Sequence, residues 1–374
     1  MSIKKSLFAV TMGTLLLSGA AFAELELKPY GDAQFRLRGA HFTRDNGDDS
    51  QSAFEYSNRI SWRTGVRAKV DDQLSLQFQI GNAYNAADNV SYQRNGIGST
   101  HVHLAYGTWN PGAFFITAGI VPVNSHGPLD LLENSLNGGA AGLIGNFGAA
   151  AHDGWATRTD NSLTGIRVGV PLVNGDVKVG AELFTSVTAY RANTIGADLS
   201  VEPNANPSAT LFVLDIPVSA GALKLTPQVA MVMNRLYNSA DEKGDHEMGF
   251  GTSASYKVSN DLSLNFVGAY AMGNDDNTSA STTRDMSGIF LGVGGSYKAG
   301  PGTAQLEYKM NTVDNGEVDK SGITYHYIDA RYAYRAHSKF SITPRFRVYL
   351  TSPEADGATS ITELRPELIF TASF

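Results

Sequence analysis

Among its 374 residues the chain has no cysteine, so no disulfide frame holds it, and its order must come from a core or a backbone ladder. It also lacks a long apolar run. The nearest, Leu7 to Leu17, is shorter than the ~20 residues a helix needs to cross a bilayer. Only helices and closed barrels satisfy every backbone group in lipid, so a membrane role for the rest of the chain requires a barrel. Basic charge is scarce: 29 Lys and Arg stand against 36 Asp and Glu, a formal charge of −7. That excess of acid argues against nucleic acid as a partner. Metal-protease, P-loop and dinucleotide fingerprints are all missing. The mean hydropathy of −0.16 excludes nothing, because half-polar strands average to the same value as a soluble protein.

Residues 1–23 have the layout of a secretory signal peptide. Lys4 and Lys5 give the charged start, Leu7–Leu17 the apolar stretch, and Ala21-Phe22-Ala23 a small-x-small cleavage site before Glu24. The expected division is therefore a signal peptide, 1–23, and one mature domain, 24–374. Loss of Lys4 and Lys5 takes the mature chain to −9.

What the mature chain does have is alternation. From Arg59 to Gly81, one set of every second residue is Ile60, Trp62, Thr64, Val66, Ala68, Val70, Leu74, Leu76, Phe78 and Ile80. The other set holds Arg59, Ser61, Arg63, Arg67, Lys69, Ser75, Gln77 and Gln79. Successive strand residues point to opposite faces, so this is a hairpin with one apolar and one wet flank. It runs longer than the 5–6 residues usual in globular strands. A packed core would not accept its four cations. Lipid on one side and a water-filled lumen on the other satisfy both flanks. The unit nearly repeats: Lys69-Val-Asp-Asp-Gln-Leu-Ser-Leu-Gln-Phe78 returns as Lys257-Val-Ser-Asn-Asp-Leu-Ser-Leu-Asn-Phe266.

The same pattern predicts sixteen strands, the first near Tyr30–Phe42, with Leu211–Ile216 the least regular because it is almost wholly apolar. Tight turns are expected at Asn110-Pro111-Gly112, Asn174-Gly175, Ser219–Ala222, Asn260-Asp261, Gly300-Pro301-Gly302 and Ala336–Ser338. Eight longer connections alternate with them: 43–53, 82–99, 122–160, 187–206, 236–247, 273–285, 311–322 and 351–361. Tyr256, Tyr297, Tyr334, Phe340 and Phe374 fall on the outward set beside short turns, at one height, as an interfacial aromatic girdle would. Pro227, Pro344 and Pro366 interrupt predicted strands and are expected near strand ends or at bulges.

A cleaved signal, about sixteen amphipathic strands, eight long loops and the terminal Leu368-Ile369-Phe370-Thr371-Ala372-Ser373-Phe374 together resemble the Gram-negative general diffusion porins. The resemblance covers the mature chain and rests on pattern; the family's Pro-Glu-Phe-Gly-Gly-type signature in its third loop is absent. It implies an all-β, antiparallel transmembrane barrel in the outer membrane, set among outer-membrane lipids and assembled as a homotrimer. It implies passive passage of small hydrophilic solutes and ions, with no enzymatic activity, cofactor or metal. It also implies a third loop folded into the lumen. The 122–160 connection fits, being the longest and carrying Leu131, Leu132, Leu136, Leu143, Ile144 and Phe147.

Charge suggests how such a pore would work. The inward sets carry Arg36, Arg38, Arg59, Arg63, Arg67, Arg331, Arg345, Arg347 and Arg365, on strands that a closed ring brings side by side. The long connection carries Asp130 and Glu133 and no Lys or Arg between Asn124 and Thr157. Carboxylates facing a guanidinium wall across a gap make a transverse field that orients polar solutes. The alternative is that the arginines are simply solvated, or pair with Asp32, Asp329, Glu363 and Glu367 on their own wall. A second reading of the whole is a selective channel for sugars or phosphate-like anions, with Tyr325, Tyr327, Tyr349 and Phe184 as a sugar slide. Three further patterns are faint: an oxygen-rich Asp45–Asp49 turn, His101 with His103, and His152-Asp153 beside Ser162. None completes a calcium loop, a metal set or a nucleophile elbow.

Overall fold

The computed structural model describes residues 25–45, 50–82, 100–122, 162–186, 210–235, 245–275, 284–314, 323–353 and 360–374. The expected signal peptide and the central parts of the eight long connections lie outside them, and with them the predicted inward fold of 122–160.

The described residues form one antiparallel sheet of seventeen segments. These are β1 (Glu26–Asp45), β2 (Ser50–Lys69), β3 (Leu74–Asn82), β4 (Thr100–Trp109), β5 (Phe115–Pro122), β6 (Ser162–Val173), β7 (Val177–Ser186), β8 (Thr210–Asp215) and β9 (Val218–Ala220). The remainder are β10 (Leu223–Arg235), β11 (Asp245–Lys257), β12 (Leu262–Asp275), β13 (Arg284–Ala299), β14 (Gly302–Asp314), β15 (Ile323–His337), β16 (Phe340–Pro353) and β17 (Ser360–Ser373). β8 and β9 both lie between β7 and β10, so they are two halves of one stave and the ring has sixteen.

The ring closes because β1 pairs with β2 on one side and β17 on the other. The seal extends to the last residue. Gly31 N donates to the Phe374 carbonyl at 3.1 Å, and Phe374 N donates to the Gly31 carbonyl at 3.0 Å. The Phe374 ring lies across Gly31, where an added β-carbon would stand 2.6 Å from the ring Cε2. The Arg63 carbonyl would stand 2.7 Å from the same point, a backbone approach that suits glycine.

Alternation becomes an inside and an outside. Leu306, Val293, Leu264, Phe266, Phe250, Ile289 and Phe346 are exposed, Leu306 at 60%. Their strand neighbours in the other set point into the ring. A soluble protein does not expose so continuous an apolar belt; a lipid-facing barrel wall does. Tyr256, Tyr297, Tyr334, Phe340 and Phe374 are all exposed beside the short turns, as the sequence predicts. Turns at 221–222 and 300–301 use Gly221 and Gly300 at φ +57°.

Two expectations need correction. The irregular eighth stave is split at Ile216-Pro217. The three prolines sit neither at strand ends nor at bulges, but in mid-strand beside a lapse in one ladder. Pro227 pairs with Thr252 of β11 and faces the break between β8 and β9, where its carbonyl accepts from Ile216 N at 2.9 Å. A strand residue aims its N–H and C=O at the same neighbour, so the rung that Pro227 cannot make falls at the break, where the ladder is already interrupted. Pro344 pairs with Leu368, while the β15–β16 ladder skips from Arg331–Arg345 to Tyr334–Ile342. Pro366 pairs with Phe346, while the β1–β17 ladder skips from Arg38–Glu367 to His41–Leu364. At Pro344 and Pro366 the register is kept across the gap, and the proline costs one rung instead of a slip.

Candidate functional site

The inward faces of β14 to β17, β1 and β2 form one charged wall. Register sets its rows: Glu307 is opposite Asp329, Asp329 opposite Arg347, and Arg347 opposite Arg365. Arg38 is opposite Glu367, and Glu367 opposite Arg345. The closure of β17 on β1 brings residues from both ends of the chain into one cluster.

Glu367 is its centre. Its side chain is 0% exposed, yet it meets four guanidinium groups. Arg38 Nε donates to Oε1 at 2.7 Å, and Arg347 Nη2 donates to the same oxygen. Arg36 Nη1 lies at 3.8 Å and Arg345 Nη1 at 3.7 Å. Beside it, Arg345 Nε donates to Asp329 Oδ1 at 2.9 Å, and Tyr327 Oη donates to Asp329 Oδ2 at 2.9 Å. Arg365 Nη2 donates to Glu363 Oε2 at 2.7 Å and its guanidinium stacks 4.5 Å over the Tyr349 ring. Arg347, fully buried, donates through Nη1 to Tyr349 Oη at 2.6 Å. Taking ions out of water is costly unless each is paired and hydrogen-bonded, which explains why acids and phenols are interleaved with these arginines.

Away from the centre the wall opens. Arg63 is half-buried and pairs with Asp32 at 3.1 Å. Arg67 is exposed and lies 4.6 Å over the Tyr30 ring. Arg331 reaches Gln305 and, at 3.7 Å, Glu307. Of Arg59 only the backbone is described, opposite Arg36 in the β1–β2 ladder. Asp130 and Glu133 lie outside the described residues. So do Asn46–Asp49 and His152-Asp153, and the side chains of His101, His103, Ser162 and Phe184. Among the described residues no group of three His, Asp or Glu could hold a metal.

The arginines whose side chains are described thus come together as one wall, and carboxylate partners stand on that same wall. Same-wall pairs with Asp32, Asp329, Glu363 and Glu367 are present among the described residues, while the opposing carboxylates expected on the 122–160 connection lie outside them. Of the aromatics expected to form a sugar slide, Phe184 has its side chain outside the described residues, and two others belong to the charged cluster. Tyr327 and Tyr349 are locked ring to ring at 5.0 Å between centroids, Tyr327 is buried, and their hydroxyls are committed to the charged network. Glu307 and Lys309, paired at 3.1 Å, were missed as members of the wall. The inward alternation Gln305, Glu307, Lys309 on β14 was the signal for them.

At the level of sequence no family model matches the chain, and no curated protein does. Its shape does match solved structures. The outer membrane channel DcaP of Acinetobacter baumannii aligns with TM-score 0.60 at 15% identity, over 94% of this chain and 98% of that one. The anion-selective porin from Comamonas acidovorans gives 0.59 at 14%, over 94% and 100%. Salmonella typhi OmpF, in complex with daunomycin, gives 0.57 at 15%, over 93% and 97%. At such identities the likeness is one of fold: the chain is built as a sixteen-stave barrel of the outer-membrane porin type.

Proposed function

We propose that this protein is an outer-membrane channel through which small hydrophilic solutes and ions pass down their gradients. The observation that carries it is a ring with no free edge whose exposed outer face is apolar and whose inner face is charged. Water belongs on the inside and lipid on the outside. In this reading residues 1–23 direct export and are removed, and the barrel assembles as a homotrimer, which its outward apolar faces permit. Arg36, Arg38, Arg59, Arg63, Arg67, Arg331, Arg345, Arg347 and Arg365 line the lumen. The 122–160 connection, with Asp130 and Glu133, narrows it.

The wall has more cations than carboxylates, so it favours anions, the sign named for the Comamonas porin among the similar barrels. The preference is weak, because the acids on the same wall neutralise much of the charge and salt screens the rest within ~8–10 Å. Recording from refolded protein in a planar bilayer tests the proposal. Stepwise conductance with a small anion-directed reversal potential is expected; its complete absence from correctly refolded barrels refutes the channel.

A further inference from the structure

The wall of the ring away from the arginine cluster is built differently. A recess of about 540 Å³ opens there over β9 to β14, within the range of small-molecule sites. Ser219, Lys224, Thr226, Ser253, Ser255 and Asn265 line it, all on the inward set. Register makes them neighbours: Lys224 is opposite Ser255, Thr226 opposite Ser253, and Ser255 opposite Asn265. Across the recess Asn265 is opposite Gly294, a residue with no side chain to fill the space. Its far edge is the Lys309–Glu307 pair, and buried Val267 supplies an apolar patch.

The donor and acceptor inventory picks the ligand class. Hydroxyls and the Asn265 amide each give and accept hydrogen bonds, the lysines only give, and Glu307 only accepts. An inorganic anion would meet the Glu307 carboxylate, and a cation would meet Lys224 and Lys309. A solute whose own groups both donate and accept, with C–H faces between them, matches every part of the lining. We propose that this recess is a binding site for a neutral, polyhydroxylated solute of monosaccharide size, seated on the lumen wall on the way through. The inference rests on the channel reading above and adds a substrate class to it.

The test is ion current through refolded full-length protein, titrated with glucose and, in a separate arm, with inorganic phosphate. Saturable reduction of current by glucose and not by phosphate is expected. In the S255V/N265L protein the half-saturating glucose concentration should rise about tenfold, the loss expected from one or two hydrogen bonds. The single N265L variant should move it about threefold to fivefold and serves if the double variant does not refold. Open channels with no saturable glucose effect, an effect unchanged in both variants, or block by phosphate instead would each overturn the proposal while leaving the channel standing. Absence of any conductance would instead remove the channel reading itself.

Discussion

Replacing Glu367 by glutamine removes one negative charge from the centre of four guanidinium groups while keeping the side chain's size and one acceptor. Breaking a buried ion pair by neutralising one partner costs about 3–5 kcal/mol, and the retained acceptor places this case toward the lower end. The denaturation midpoint should fall accordingly. The effect on conduction is separate and can be worked out. For an ion passing ~8 Å from the lost charge, the Coulomb energy through water is about 0.5 kcal/mol, and salt reduces it to about 0.2 kcal/mol. The change acts with opposite sign on anions and cations, so their permeability ratio should shift toward anions about twofold to sixfold. A reversal potential measured across a potassium chloride gradient reads this directly. Arg38→Gln, which removes the charge 2.7 Å from Glu367, should shift it the other way. An unchanged reversal potential in E367Q, or a shift toward cations, would refute the view that this carboxylate offsets the wall's charge.

Other expectations follow from the fold. Leu291→Arg puts a charge on the lipid face and should cost about 2–4 kcal/mol if Leu291 lies near the bilayer midplane, read as a lower urea midpoint in lipid vesicles. Pro227→Ala restores a donor that faces the β8–β9 break, so the midpoint should move by less than about 1 kcal/mol; Val229→Pro, one pair further into the β8–β10 ladder, should cost about 3 kcal/mol or more. Gly31→Val meets the Arg63 carbonyl as well as the Phe374 ring at the seal, and the yield of heat-modifiable barrel from refolding reactions should fall.

The staves, their facing and most short turns could be read from the sequence because a two-residue period is a local property. Arg36 and Arg347 could be placed inside from their neighbours alone. Their partners could not. That Glu367 would meet arginines from β1 and β16 at once depends on the register of three strands and on the height at which the ring closes, and neither is written in any one segment. The prolines show the same boundary. Pro227 looks like an error within its own strand. It becomes reasonable only once Pro217 is found to have broken the neighbouring stave opposite it. Tyr327 and Tyr349 faced inward as expected, but alternation says nothing of burial, and the cluster had already claimed their hydroxyls.

The seam between β1 and β17 joins groups as far apart in sequence as Gln34 and Thr371, separated by 337 positions. Until β17 is in place, β1 has one flank with no mate. Every intermediate short of that is a curved sheet with two sticky margins and an oily back. Contacts so remote form slowly, because the whole intervening loop must be brought together first. The molecule therefore has no partial version that is safe on its own in water, and its biogenesis has to keep those margins occupied until the circle is complete.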